Sequence, residues 1–135
     1  MQIYRSHVLV CAGTGCTSSK SLDLIDALEK SIKAEGIDNE VHIVKTGCFG
    51  LCAEGPIMVV YPEGAMYTQV KLDDVEEIVK EHLVKGRIVK NLLQGSDKSL
   101  DESYESSEFF KRQTRIALRN CGVINPEVID EYIAY

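Results

Sequence analysis

A chain of 135 residues is long enough for one domain and an appendage. With 44% hydrophobic and 27% charged residues it has the makeup of an ordinary globular protein. A net charge of −6 argues against a phosphate-tracking or anionic membrane-binding surface, and no apolar run of 18 residues exists to span a bilayer. The first residues, Met1 to His7, lack the shape of a signal peptide, so the expected compartment is the cytoplasm. There, clustered cysteines more often bind metal or carry out redox work than form structural disulfides.

His7-Val8-Leu9-Val10 is a short β-branched run that predicts a buried strand ending at Cys11. Thr17, Ser18 and Ser19 are capping residue types. Leu22, Ile25, Leu28 and Ile32 then recur at helical spacing as far as Gly36, which suits a C-terminal cap. Val41 to Val44 predicts a second strand leading into Thr46-Gly47-Cys48, and Ile57 to Tyr61 a third. Pro62-Glu63-Gly64 is a turn signal, so Ala65 to Val70 is expected to return as a fourth strand. Asp73 with Glu76 has the form of a capping box. It opens a helix whose apolar face is Val75, Ile78, Val79, His82 and Leu83, stopped by Gly86. The order β-α-β-β-β-α implies a small mixed α/β sheet with flanking helices.

Val89 to Leu93 is apolar and of no evident type. Residues 94–107 are acidic and serine-rich and read as a flexible linker. Residues 108–135 then form a helical C-terminal extension. One helix is expected from Phe109 to Asn120, capped by Gly122, and another from Asn125-Pro126 onward, with Val128, Ile129, Tyr132 and Ile133 as its apolar stripe. Two such helices make no core of their own, so they are expected to open something larger or to dock on a partner.

The chemistry lies in four cysteines arranged as Cys11-x4-Cys16 and Cys48-x3-Cys52, each pair in a glycine-bearing loop. Two thiolate pairs on two loops suit two adjacent irons, as a [2Fe–2S] cluster requires, which makes the expected function one-electron transfer. Gly13, Gly15, Gly47 and Gly50 let backbone N–H groups approach the sulfurs, while Phe49, Leu51 and Pro56 limit solvent. Three other uses compete: two disulfides, a four-cysteine zinc staple in an interaction module, and isolated buried cysteines. A dithiol oxidoreductase would favour C-x-x-C, which is absent. Zinc usually takes C-x2-C pairs rather than x4 and x3 loops.

Outside the loops, Cys121 reads as a small buried apolar residue. His42 and His82 read as structural, and His7 has no ligand-spaced partner. Lys111, Arg112, Arg115 and Arg119 read as a solvated helix face. Their alternative is docking on an acidic partner or on the neighbouring Asp97, Asp101, Glu102, Glu105 and Glu108.

The segments Cys-Ala-Gly-Thr-Gly-Cys-Thr-Ser-Ser at 11–19 and Thr-Gly-Cys-Phe-Gly-Leu-Cys-Ala-Glu-Gly-Pro at 46–56 resemble the thioredoxin-like [2Fe–2S] ferredoxin domain, over residues 1–93. The resemblance implies a thioredoxin-like fold. It also implies that Cys11 and Cys16 bind one iron and Cys48 and Cys52 the other. In the tail, Phe110-Lys111-Arg112-Gln113 through Asn125-Pro126 and Ile129-Asp130-Glu131-Tyr132-Ile133 resemble the start of the flavin- and NAD-binding core in the β subunit of NAD(P)-linked iron-only hydrogenases. That subunit is related to the FMN-binding subunit of respiratory complex I. By this resemblance the partners are other subunits of a redox complex, among them a hydrogenase catalytic subunit and a small [2Fe–2S] subunit. FMN, NAD(P) and a [4Fe–4S] cluster are expected only beyond Tyr135, because these residues hold neither a glycine-rich nucleotide loop nor a further cysteine-rich segment.

Overall fold

A computed structural model describes residues 3–94 and 108–135. The strands are β1 (Ser6–Cys11), β2 (Val41–Thr46), β3 (Met58–Tyr61) and β4 (Ala65–Tyr67), in the sheet order β2-β1-β3-β4. β1 and β2 are parallel, while β3 runs antiparallel to both β1 and β4. This is the mixed α/β sheet that the strand order predicts, with β3 shorter by one residue and β4 by three, where Gln69 turns the chain at φ 52°.

Alternation along the strands sorts the core into two layers. Val8, Val10, Met58, Val60 and Tyr67 pack with Leu24, Leu28, Ile32, Val75, Ile78 and Leu83 on the helical side. Leu9, Val44, Val59 and Met66 point the other way, towards Phe49 and the cysteine loops. Because side chains alternate with period two, a strand buried on both faces becomes continuously apolar, as Val8-Leu9-Val10 is.

Two longer helices cover the first face, and a short one precedes them. α1 (Thr14–Ser18) lies within the first cysteine loop, and α2 (Ser21–Ala34) follows it. The expected role of Thr17, Ser18 and Ser19 as N-caps is corrected. Their hydroxyls donate backwards, to the carbonyls of Ala12, Thr14 and Gly15 at 3.2, 3.0 and 3.2 Å, as hydroxyl side chains do inside a helical turn. α2 instead starts after Lys20, which sits at φ 67°. Its buried stripe is Ser21, Leu24, Leu28 and Ile32, and Leu22 is outside it.

α3 (Val75–Glu77) runs on with wider, π-type hydrogen bonding over Ile78–Val84. It buries the five residues of the predicted face. Its N-terminal bond is made by Asp74, whose carboxylate accepts the Lys71 N–H at 2.8 Å, rather than by Asp73 with Glu76. Val89 to Leu93 returns along the edge of β4. Gln94 N–H donates to the Met66 carbonyl at 2.9 Å, and Leu93 bridges to Tyr67.

The tail departs most from expectation. α4 (Glu108–Lys111) is one turn long, and α5 (Ile129–Ala134) begins only after Val128. The stretch between them is turns, not a helix to Asn120. Arg115 is drawn over the Phe110 ring, 5.6 Å from its centroid, and donates to the Cys121 carbonyl at 2.9 Å. These contacts win over helix propensity, which is weak by comparison. The Asn125 carboxamide caps the Glu127 N–H at 3.0 Å in a local turn ahead of α5. Of the basic set, Arg112 pairs with Glu108 at 2.8 Å. Asp97 to Glu105 and nearly all of the expected linker lie outside the described residues.

Candidate metal centre

Parallel pairing of β1 with β2 puts both carboxyl ends at one edge of the sheet, with Cys11 opposite Thr46. That is where ligands collect in open α/β sheets. Two backbone bonds tie the first loop there: Cys11 N–H to the Ile57 carbonyl at 3.0 Å, and Ala12 N–H to the Thr46 carbonyl at 2.9 Å. Cys11 closes β1, Cys16 lies in α1, and Cys48 and Cys52 flank the turn that follows β2. Cysteine loops separated by 31 residues thus become neighbours through one strand pairing.

The two loops are in van der Waals contact through glycine. A Cβ on Gly13 would lie 2.9 Å from Cys48 Cβ and 3.5 Å from its Sγ. A Cβ on Gly15 would lie 3.1 Å from Cys52 Cβ and 3.3 Å from its Sγ. From the other side, a Cβ on Gly55 would lie 2.8 Å from Cys16 Sγ. The space that brings the second pair against the first is therefore space that only glycine leaves. Within the second pair the sulfurs are 3.5 Å apart, and the Gly50 N–H donates to Cys48 Sγ at 3.2 Å. Gly50 takes φ +89° to aim that N–H, a conformation side-chain-bearing residues rarely adopt.

The pairs differ in environment. Cys11 and Cys16 are buried among Leu9, Phe49 and Ile57, Cys48 is half-buried, and Cys52 is exposed. Burial first, then the adjacent Cys11, pushes the Cys16 thiol up to about 12. The hydrogen bond from Cys48 is the main cause that raises Cys52. Both shifts disfavour the thiolate forms, so metal binding there must displace protons and is opposed by acid. Among the described residues no three His, Cys, Asp or Glu side chains converge on a point suited to a single ion. The donors are four thiols on two loops that meet at Gly13 and Gly15, and two thiolate pairs on adjoining loops suit a two-iron cluster.

The remaining singled-out residues stay away from this edge. His7 and His42 are cross-strand partners at the opposite, amino-terminal end of β1 and β2, where Tyr4 stacks on His42 at 4.7 Å. His82 is buried, with Nδ1 2.6 Å from the Tyr67 hydroxyl and Nε2 3.5 Å from Glu63. The Tyr67 hydroxyl accepts the Val89 N–H, which leaves its own proton for His82 Nδ1. Burial pushes the Tyr67 phenol up to about 12 and keeps it a donor. Cys121 is half-buried rather than buried, against Gly47, next to the second pair. Thr46 and Gly55, both at the centre, carry no signal in one sequence beyond lying next to the cysteine motif.

Comparison with known proteins agrees with this geometry. The family model for thioredoxin-like [2Fe-2S] ferredoxin matches residues 2–83, and the chain belongs to that family. A 2Fe-2S ferredoxin of Clostridium pasteurianum is 38% identical over 96 residues, covering 65% of this chain and 94% of the relative. A 2Fe-2S ferredoxin of Aquifex aeolicus is 35% identical over 96 residues, covering 64% of this chain and 86% of the relative. The crystal structure of the Aquifex aeolicus thioredoxin-like [2Fe-2S] ferredoxin superposes with a TM-score of 0.64 at 33% identity, over 70% of this chain and all of that one. An NAD+-reducing [NiFe]-hydrogenase shares the fold, with a TM-score of 0.53 at 13% identity, over 71% of this chain and 18% of that chain.

Proposed function

We propose that this chain carries single electrons on a [2Fe–2S] cluster, with Cys11 and Cys16 on one iron and Cys48 and Cys52 on the other. The contact of Gly13 and Gly15 with Cys48 and Cys52 carries the proposal, since it brings the two cysteine loops together. The cluster supplies an iron whose valence changes by one. The protein holds the thiolates, excludes water from the Cys11 and Cys16 side, and stabilises charge on Cys48 through the Gly50 N–H. No bond to a substrate is made. Cys52 is the exposed ligand, so electrons cross at its edge of the molecule.

In a wider setting, residues 1–93 form the ferredoxin domain, 94–107 a linker, and 108–135 the start of a flavin- and NAD(P)-binding core in a subunit of a cytoplasmic redox complex. The tail motif quoted above supports this reading. So do the exposed Ile129, Tyr132 and Ile133 of α5, an apolar stripe that a following core would cover. The same fold also occurs inside a longer chain, the NAD+-reducing hydrogenase noted above. No helix among the described residues is long and apolar enough to cross a membrane.

The test is anaerobic preparation with iron and sulfide assays, visible absorption and EPR. Two irons and two sulfides per chain, with an S = ½ signal on reduction, are expected. A colourless protein that takes up only zinc after reconstitution would overturn the reading.

A further inference from the structure

Among the described residues, the long helices lie on one face of the sheet and the tail lies against the other. Thr46 is the joint. Its side chain is 1% exposed, two positions before Cys48 and in register with Cys11. The hydroxyl accepts the Gly122 N–H at 2.9 Å and donates to the Ile124 carbonyl at 2.9 Å. One buried hydroxyl therefore satisfies two tail backbone groups, which would otherwise be buried unpaired.

The fit around that joint is close. Gly122 takes φ +81°, and a Cβ there would lie 2.6 Å from Phe49 Cε1. Phe49, adjacent to Cys48, is 2% exposed. A Cβ on Gly47, on the other side of Cys48, would lie 3.0 Å from Cys121 Sγ. Phe109 approaches Gly50, and Phe110 packs on the same apolar cluster as Cys11 and Phe49. The tail thus touches the chain on both sides of Cys48 and leaves Cys52 open.

We propose that residues 109–124 form an internal cap, latched at Thr46, that fixes the backbone of residues 47–50 and shields the Cys48 side of the cluster. Thr46, Phe49 and Gly122 are positioning residues, since they act through Cys48. The proposal rests on the ligand assignment above. Release of the latch admits water beside Cys48. Water stabilises the extra negative charge of the reduced cluster, so the reduction potential rises and iron becomes easier to extract.

The test uses full-length variants. Thr46→Val keeps the shape and removes both hydrogen bonds, Thr46→Ser keeps the hydroxyl, and Gly122→Ala disturbs the same contact from the tail side. Three readouts apply: hydrogen exchange at the Gly122 amide, in apo and loaded protein; the rate of iron loss to a chelator; and the reduction potential. For Thr46→Val and Gly122→Ala, exchange at the position-122 amide is expected to quicken by roughly 10-fold or more, on the scale of one or two lost buried hydrogen bonds. Iron loss should quicken several-fold and the potential should rise, while Thr46→Ser stays near wild type. Unchanged exchange in both variants would overturn the latch. Faster exchange with unchanged iron loss and potential would overturn the shielding. Exchange in the apo protein reads the latch separately, so a wild type that binds no iron would count against the ligand assignment and the shielding alone.

Discussion

Gly13→Ala is the most direct test of the geometry that brings the two cysteine loops together. Gly13 has φ −63° and ψ 158°, an extended conformation open to any residue, so alanine brings no backbone strain. Its methyl would lie 2.9 Å from Cys48 Cβ and 3.3 Å from Cys48 Cα. Carbon atoms rest at about 3.5–4.0 Å, so the loops must part by roughly 0.6–1 Å. Overpacking of this kind costs about 1–3 kcal/mol. The effect on the cofactor is larger, because ligand distances at a metal site hold within about 0.2 Å. Expected are loss of most of the cluster, by iron, sulfide and visible absorbance after equal reconstitution, and a lower melting temperature, by about 4 °C per kcal/mol at this size. The control is Gly36→Ala. At φ +71° with nothing within 4 Å, it strains the backbone by about 1–2 kcal/mol but leaves the cluster intact. A Gly13→Ala protein with two irons, an unchanged EPR signal and wild-type melting would refute the loop contact as the device that assembles the site.

Serine at each of Cys11, Cys16, Cys48 and Cys52 should alter or abolish the visible spectrum, and unchanged spectra in all four would sink the ligand assignment. Cys11→Ser and Cys16→Ser should also lower the melting temperature more than Cys52→Ser, since they place a hydroxyl in the core while position 52 faces solvent. His82 makes stability depend on pH. Burial, partly opposed by Glu63, lowers its folded-state pKa below the ordinary value of 6.5. The unfolded chain therefore takes up the proton first as pH falls, so stability should drop below about pH 6.5 and level off once the folded His82 is also protonated. Thermal melts from pH 8 to 5 check this, and a slope unchanged by His82→Gln would remove His82 as its source. Removal of iron by a chelator should lower the melting temperature reversibly, because binding to the folded state alone adds stability by mass action; an unchanged melt would contradict a cluster that spans both loops.

How much of this was legible in one sequence depended on distance along the chain. Alternating and helical hydrophobic patterns marked every strand and both long helices, and the glycine-bearing cysteine loops marked the site. The failures were local competitions. Thr17, Ser18 and Ser19 look like caps, yet their hydroxyls bond back to preceding carbonyls because a short helix already fills the loop. Asp73 with Glu76 has the spacing of a capping box, but Asp74 reaches the Lys71 N–H first. Phe109 to Asn120 has helical composition, but Arg115 gains more from Phe110 and the Cys121 carbonyl than from another helical turn.

The sequence by itself determined the four-cysteine constellation, its spacing and the order of elements, because these depend on residue types and on periods of two to four residues. Only the tertiary structure decided that Gly13, Gly15 and Gly55 are the spacers between the loops, that Cys52 is the open cysteine, and that the tail turns back on Thr46. Those facts depend on contacts between residues dozens of positions apart. Chain folding creates such contacts through strand register and close packing, and no local pattern encodes them.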